Sequence, residues 1–212
     1  MIRQFIQNYH IEGIILDIDD TLYLERDYVK SGFRAVGRAI GIPEFGDKCW
    51  QCFLEGIRNH TFDIVRQDYP DLTADTMDLV QIYRKHKPDI KLCGDAQIFI
   101  QNLHHLRTAF VTDGPIDSQH AKCLSLRLLP WIDYPLFTSE LGISKPSAAP
   151  FQLVSYGLNL PYTSCVYIAD NPKKDFIGPH ELGMKTIRIR REGSLHYHEP
   201  SGNDVDLELG SF

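Results

Sequence analysis

The chain has 212 residues, 43% hydrophobic and 24% charged, with 22 Lys and Arg against 28 Asp and Glu for a formal net charge of −6. That balance describes a globular protein with a sizeable core, and without a long basic run it argues against a nucleic-acid polymer as partner. No apolar run of about 18 residues occurs, which excludes a helical membrane span, and Met1 to Asn8 lack the apolar centre of a signal peptide, so the expected compartment is the cytoplasm.

The first element is Ile11 to Ile18, whose Ile11, Ile14, Ile15, Leu16 and Ile18 predict a central parallel strand buried on both faces. It runs into Asp17, Asp19 and Asp20, and open α/β sheets bind ligands at such strand ends. Alternation along a strand sends Asp17 and Asp19 to the same side, where two carboxylates repel. A cation between them relieves this, and a hard divalent ion such as Mg²⁺ suits an all-oxygen site.

A helical block follows. Asp27 to Ile40 carries Tyr28, Phe33, Val36 and Ile40 at helical spacing and stops at Gly41, and Pro43 to Arg58 repeats the pattern. Phe62 to Tyr69 is a short segment, Leu72 or Thr73 to His86 a further helix, and Gly94 to Leu106 returns the chain to the sheet. This block is too long for a simple crossover. Residues 24–90 are therefore expected to form a helical insertion over the strand ends, with 1–23 and 91–212 as the α/β core.

From Thr108 the pattern is βαβ. Thr108 to Gly114, Pro135 to Thr138, Cys165 to Asp170 and Lys185 to Arg190 read as strands, giving about five core strands with the first. Helices are expected at Asp117 to Leu126, from a Ser147 cap to Gly157, and at Asp175 to Leu182. Alternation of this kind implies a Rossmann-like parallel sheet with helices on both faces. The tail from Glu192 is polar and is expected on the surface, partly mobile. The five cysteines, Cys49 and Cys52 among them, form no disulfide or zinc pattern, and the paired histidines (His104 and His105; His196 and His198) lack the spacing of a helical metal site and are expected at the surface.

Polar groups at four strand or loop ends can converge: Asp17 with Asp19, Thr112, Lys145, and Asp170 with Asp175. Asp17-Ile18-Asp19-Asp20-Thr21-Leu22 resembles the first motif of the haloacid dehalogenase superfamily, Thr112 its second, Lys145 in Gly142-Ile143-Ser144-Lys145-Pro146 its third, and Asp170-Asn171-Pro172-Lys173-Lys174-Asp175 its fourth. Ala169 departs from the small Gly or Ser usual before the fourth motif.

The resemblance implies a Mg²⁺-dependent phosphatase of a small phosphorylated metabolite. Asp17 is then the nucleophile that becomes an aspartyl-phosphate, and Asp19 the general acid and base. Mg²⁺ is then held by Asp17, the Asp19 carbonyl and Asp170, with Asp175 and Asn171 supporting from behind. Thr112, Asp113, Gly114 and Lys145 are expected to bind the phosphoryl oxygens. Asp19 favours an alkoxide over a halide leaving group, because only the alkoxide needs a proton. The insertion resembles a C1-type cap, with Tyr23, Arg26, Tyr28, Lys30 and Arg34 as specificity candidates. A phosphomutase with the same carboxylates, or a phospho-ligand-binding domain without turnover, are the alternative readings.

Overall fold

In the computed structural model, which describes residues 1–212, a seven-residue helix α1 (Ile2–Asn8) precedes the central strand β1 (Gly13–Leu16). Four helices follow: α2 (Glu25–Ala39), α3 (Pro43–Leu54), α4 (Thr61–Arg66) and α5 (Thr76–Lys85). The chain then runs through α6 (Gly94–Gln101), β2 (Arg107–Thr112), α7 (Ile116–Leu126), β3 (Tyr134–Phe137) and α8 (Ala149–Leu158). It ends with β4 (Cys165–Ala169), α9 (Ile177–Glu181), β5 (Lys185–Ile189) and β6 (Leu207–Leu209). No helix is long and apolar enough to cross a membrane.

The strands form one sheet in the order β3-β2-β1-β4-β5-β6, every pair parallel. Leu16 is in register with Phe110 on one side and Ile168 on the other, so β1, β2 and β4 release their following residues along the same edge. The reversal of winding beside β1 opens a crevice there. One face of the sheet buries Ile14, Leu16, Phe110 and Ile168 with Ile2 of α1, Ala96 and Ile100 of α6, and Cys123 and Leu126 of α7. The other face buries Ile15, Val111 and Tyr167 with Phe151, Val154 and Leu158 of α8. β1 is therefore apolar on both sides, as an internal parallel strand must be.

Helices α2 to α5 have a core of their own. Val29, Phe33 and Val36 of α2 pack with Phe45, Cys49 and Phe53 of α3, Phe62 and Val65 of α4, and Leu79 of α5. A Cβ at Gly46 would stand 2.4 Å from the Phe33 carbonyl oxygen, so the α2–α3 approach depends on glycine there. Asp75 caps α5 through a reciprocal box with Asp78. The block leaves and rejoins the core at one neck, where the Cys93 amide donates to the Leu22 carbonyl at 2.9 Å.

Several expectations are corrected. The sheet agrees with the expected parallel architecture and adds a sixth strand, in the tail expected on the surface and partly mobile. Arg188, fully buried on β5, causes this: its guanidinium donates to the carbonyls of Asp170 (2.9 Å), Glu199 (2.8 Å) and His196 (2.8 Å) and to Ser201 Oγ (2.9 Å). A buried guanidinium needs such acceptors, and the tail supplies them. α1 was not anticipated, and α3 and α6 stop earlier than expected, α3 just before Gly56 at φ +91°. α7 starts at Ile116, one residue earlier than expected, and Ser147 stands two residues ahead of α8. All five cysteines are free.

Candidate active site

Asp17 follows β1 directly and extends its ladder, its amide donating to the Ile168 carbonyl at 2.9 Å. The Lys145 ammonium lies 2.6 Å from Asp17 Oδ1, 2.8 Å from Asp175 Oδ1 and 3.0 Å from the Tyr167 hydroxyl. Burial lowers the affinity of Lys145 for its proton, but Asp17 and Asp175 outweigh it and hold the ammonium charged. Burial is also the largest influence on Asp17 and pushes its carboxyl up to about 7 despite Lys145. Asp170 is raised well above the carboxylate range by burial, then by Asp175 and Asp17.

Oxygens of Asp17, Asp170 and Asp175 lie within 4.8 Å of one another, all three residues buried. Lys145 pairs with two of the three acids, and Asp170 Oδ2 is buried with no hydrogen-bond partner. An orphaned anionic oxygen beside two carboxylates fits a hard divalent cation, whose ligands are oxygens of this kind. Asp175 is already occupied, accepting from the Asn171 amide at 2.9 Å as well as facing Lys145. The side chain of Asp19 is not in this cluster.

Asp19 instead faces a second lysine. β1 ends at Leu16 and Asp20 adopts φ +54°, so strand alternation does not extend to Asp19. Lys122 Nζ on α7 lies 2.7 Å from both Asp19 oxygens, Gln119 Nε2 donates at 3.3 Å, and the Tyr23 hydroxyl also donates. Burial pushes the Asp19 carboxyl up, but Lys122 prevails and holds it below the usual range. The expected repulsion between Asp17 and Asp19 is thus relieved by two separate ammonium groups. Asp20 is held by the amides of Glu25 and Leu195, both at 2.8 Å.

Thr112 ends β2 with its hydroxyl donating to Gln119 Oε1 at 2.9 Å. Asp113 accepts from Thr138 Oγ1 at 2.7 Å and from the Lys145 amide at 3.4 Å, which ties the Lys145 loop to the end of β2. Gly114 sits at φ +119°, where a Cβ would stand 2.9 Å from Gln119 Nε2, so the turn requires glycine. Asp17, Asp19, Thr112, Asp113, Gly114, Asp170 and Asn171 all line one cavity of about 340 Å³, with Lys145 and Asp175 buried behind it.

Of the five cap candidates, only Tyr28 reaches this cavity. Tyr23 is fully buried on Asp19, Arg26 and Lys30 flank the Trp50 ring at 5.7 and 5.2 Å, and Arg34 lines a separate surface hollow. Sequence reasoning missed Gln119, Lys122, Glu25, Tyr83, Arg84 and His196, which also line the cavity. His196 departs from its expected surface placement: Asn171 Nδ2 lies 2.9 Å from its Nε2. Gln119, Lys122, Cys123 and Leu126 share one buried stripe of α7. A lysine at core spacing was the signal that could have revealed it.

The profile of the haloacid dehalogenase-like hydrolases matches residues 14–189. The chain is 25% identical over 203 residues to the glyceraldehyde 3-phosphate phosphatase of Methanocaldococcus jannaschii, covering 84% of this chain and 85% of that protein. It is 26% identical to the Methanopyrus kandleri protein of the same name, covering 94% and 93%. The fold superposes on the HAD-hydrolase YfnB of Bacillus subtilis, a structure bound to magnesium, with a TM-score of 0.70, 20% identity and 95% of each chain covered.

Proposed function

Because the chain belongs to the haloacid dehalogenase-like hydrolases and is a phosphatase among them, we propose that it hydrolyses a small phosphorylated metabolite through an aspartyl-phosphate on Asp17. The observation that carries this reading is the juxtaposition of Asp17 with Lys145 at 2.6 Å and with the orphaned Asp170 carboxylate, opening into a polar cavity.

In the first step an Asp17 oxygen attacks phosphorus as the bond to the leaving oxygen breaks, and Asp19 gives its proton to the departing alkoxide. In the second, water attacks phosphorus, Asp19 takes a water proton, and the bond to Asp17 breaks to release phosphate, restoring the Asp17 carboxylate and the protonated Asp19. Asp19 acts as an acid only after it lets go of Lys122, whose contact keeps it ionised. Lys145 neutralises charge on Asp17 and on the phosphoryl oxygens, and Asp175 holds Lys145 in place.

Asp17, Asp170 and the Asp19 backbone carbonyl would hold Mg²⁺, which when bound screens the carboxylates and polarises the phosphoryl oxygens. Thr112 and the amides of Asp113 and Gly114 would cradle those oxygens, the Thr112 hydroxyl exchanging its bond to Gln119 for one to phosphate. Residues 24–90 would act as a C1-type cap that closes water out of the crevice. The relatives' names support a three-carbon phosphate ester as one candidate substrate.

The test is phosphate release from p-nitrophenyl phosphate. Turnover is expected with Mg²⁺, loss of it with EDTA, and a fall of at least ~10³-fold in the Asp17→Asn variant, as removal of a nucleophile demands. Turnover retained by that variant refutes the mechanism.

A further inference from the structure

The cavity at Asp17 does not end at the cap. It adjoins a second hollow of about 810 Å³, and Glu25, Tyr83, Arg84 and His196 line both. The inner chamber is polar except for the rings of Tyr28 and Tyr83. The outer one differs in kind: Phe33, Phe53, Phe62 and Val80 form its wall, and Asn59 and the mutually hydrogen-bonded Asp63 and Thr76 are its polar lining. Phe33, Phe62 and Tyr83 pack mutually with centroids 5.5 to 6.0 Å apart, a cluster of rings that borders the hollow.

At the boundary stand the Glu25 carboxyl and the Arg84 guanidinium, both lining the two chambers. A carboxyl, a histidine and an arginine on one boundary can all hydrogen-bond to hydroxyl groups. Three zones therefore follow one another outward from Asp17: a phosphoryl site, a hydroxyl-binding boundary, and an aromatic chamber with polar groups on its walls. A three-carbon phosphate ester occupies only the first two and leaves the ring-lined third unfilled.

We propose that the preferred substrates are nucleoside 5′-monophosphates, with the sugar at Glu25 and Arg84 and the base among Phe33, Phe62 and Tyr83. The proposal rests on the phosphatase reading for its chemistry but not for its binding. Stacking of a base on an aromatic side chain is a sequence-tolerant interaction that every nucleobase can make.

The test measures binding apart from turnover. The Asp17→Asn protein with Mg²⁺ is titrated calorimetrically with UMP, AMP and ribose 5-phosphate, which carries the phosphate and sugar but no base. At least one nucleotide is expected to bind ten-fold or more tightly than ribose 5-phosphate. Val80→Phe, which fills the outer chamber, should bring that ratio close to one. Should this variant fail to fold, the comparison in the Val80 protein decides alone: a ratio near one for both nucleotides overturns the proposal. Steady-state turnover separates the two claims. If the wild-type protein releases phosphate from p-nitrophenyl phosphate but shows equal kcat/KM for nucleotides and ribose 5-phosphate, the substrate class fails and the phosphatase reading stands. If nucleotides bind ten-fold tighter yet no ester is turned over, the phosphatase reading fails and the binding class stands.

Discussion

Lys122 places its ammonium nitrogen 2.7 Å from each oxygen of Asp19 while Lys145 does the same service for Asp17 at 2.6 Å. Each of the two carboxylates that follow β1 thus has its own cation, delivered from a different part of the chain. The Lys122 ammonium also lies 4.4 Å from the Tyr28 ring centroid, which links the Asp19 pair to α2.

Replacing Lys122 by Met removes the partner of a largely buried carboxylate. Gln119 and Tyr23 remain as donors, so the loss should be partial, about 1–3 kcal/mol by the cost of an unsatisfied buried group. Without the cation, Asp19 holds its proton more firmly, and the basic limb of the kcat/KM profile should move to higher pH. Chemical denaturation and a pH profile check both, and an unmoved limb argues that Asp19 is not the acid.

Asp170 shows the opposite balance, a carboxylate with one oxygen unpartnered beside two others. Asp170→Asn should abolish Mg²⁺-dependent activity yet raise the melting temperature in EDTA, because burial and the neighbouring Asp175 and Asp17 oppose a charge at this position. Mg²⁺ should stabilise the unsubstituted protein and not the variant. A variant less stable than its parent in EDTA contradicts the crowding argument.

The metal-free protein should lose stability as pH rises from about 5 to 8. Burial raises Asp17 to about 7, Asp20 to about 6 and Glu25 to about 8. Over that window the folded chain binds more protons than the unfolded chain, whose carboxyls ionise near 4, so stability falls with pH. Asp19, lowered by Lys122, acts below that window with the opposite sign. Melting temperatures in EDTA across this range provide the check, and saturating Mg²⁺ should flatten the slope. A rising curve in EDTA contradicts the assignment.

Arg188→Leu should destabilise the fold by about 3–5 kcal/mol, since it strips the buried acceptors on Asp170, Glu199 and His196 of their donor. Proteolysis should then cut within residues 192–206 before the sheet is attacked. Unchanged protection of that segment implies that β6 alone holds the tail.

The strands were readable because apolar runs in a parallel sheet need no knowledge of their neighbours: Ile14 to Leu16, Ala109 to Val111 and Val166 to Ala169 are buried by composition alone. Asp17, Thr112, Lys145 and Asp170 were readable by resemblance, and the fold gathers them about one crevice. Lys122 and His196 were not read, because their positions depend on how α7 and the tail dock. β6 was missed for a similar reason. Leu207, Glu208 and Leu209 are too few to announce a strand, and they pair only because Arg188 draws the preceding loop inward.

The hydrogen bond from Cys93 to Leu22 means that the two ends of a seventy-odd-residue excursion meet within one amide's reach. Closing that gap costs the sheet little chain entropy, whatever hangs beyond it, since the cost grows only slowly with length. Natural variation can therefore lengthen, shorten or exchange the helices beyond the neck while the strands beneath keep their pairing.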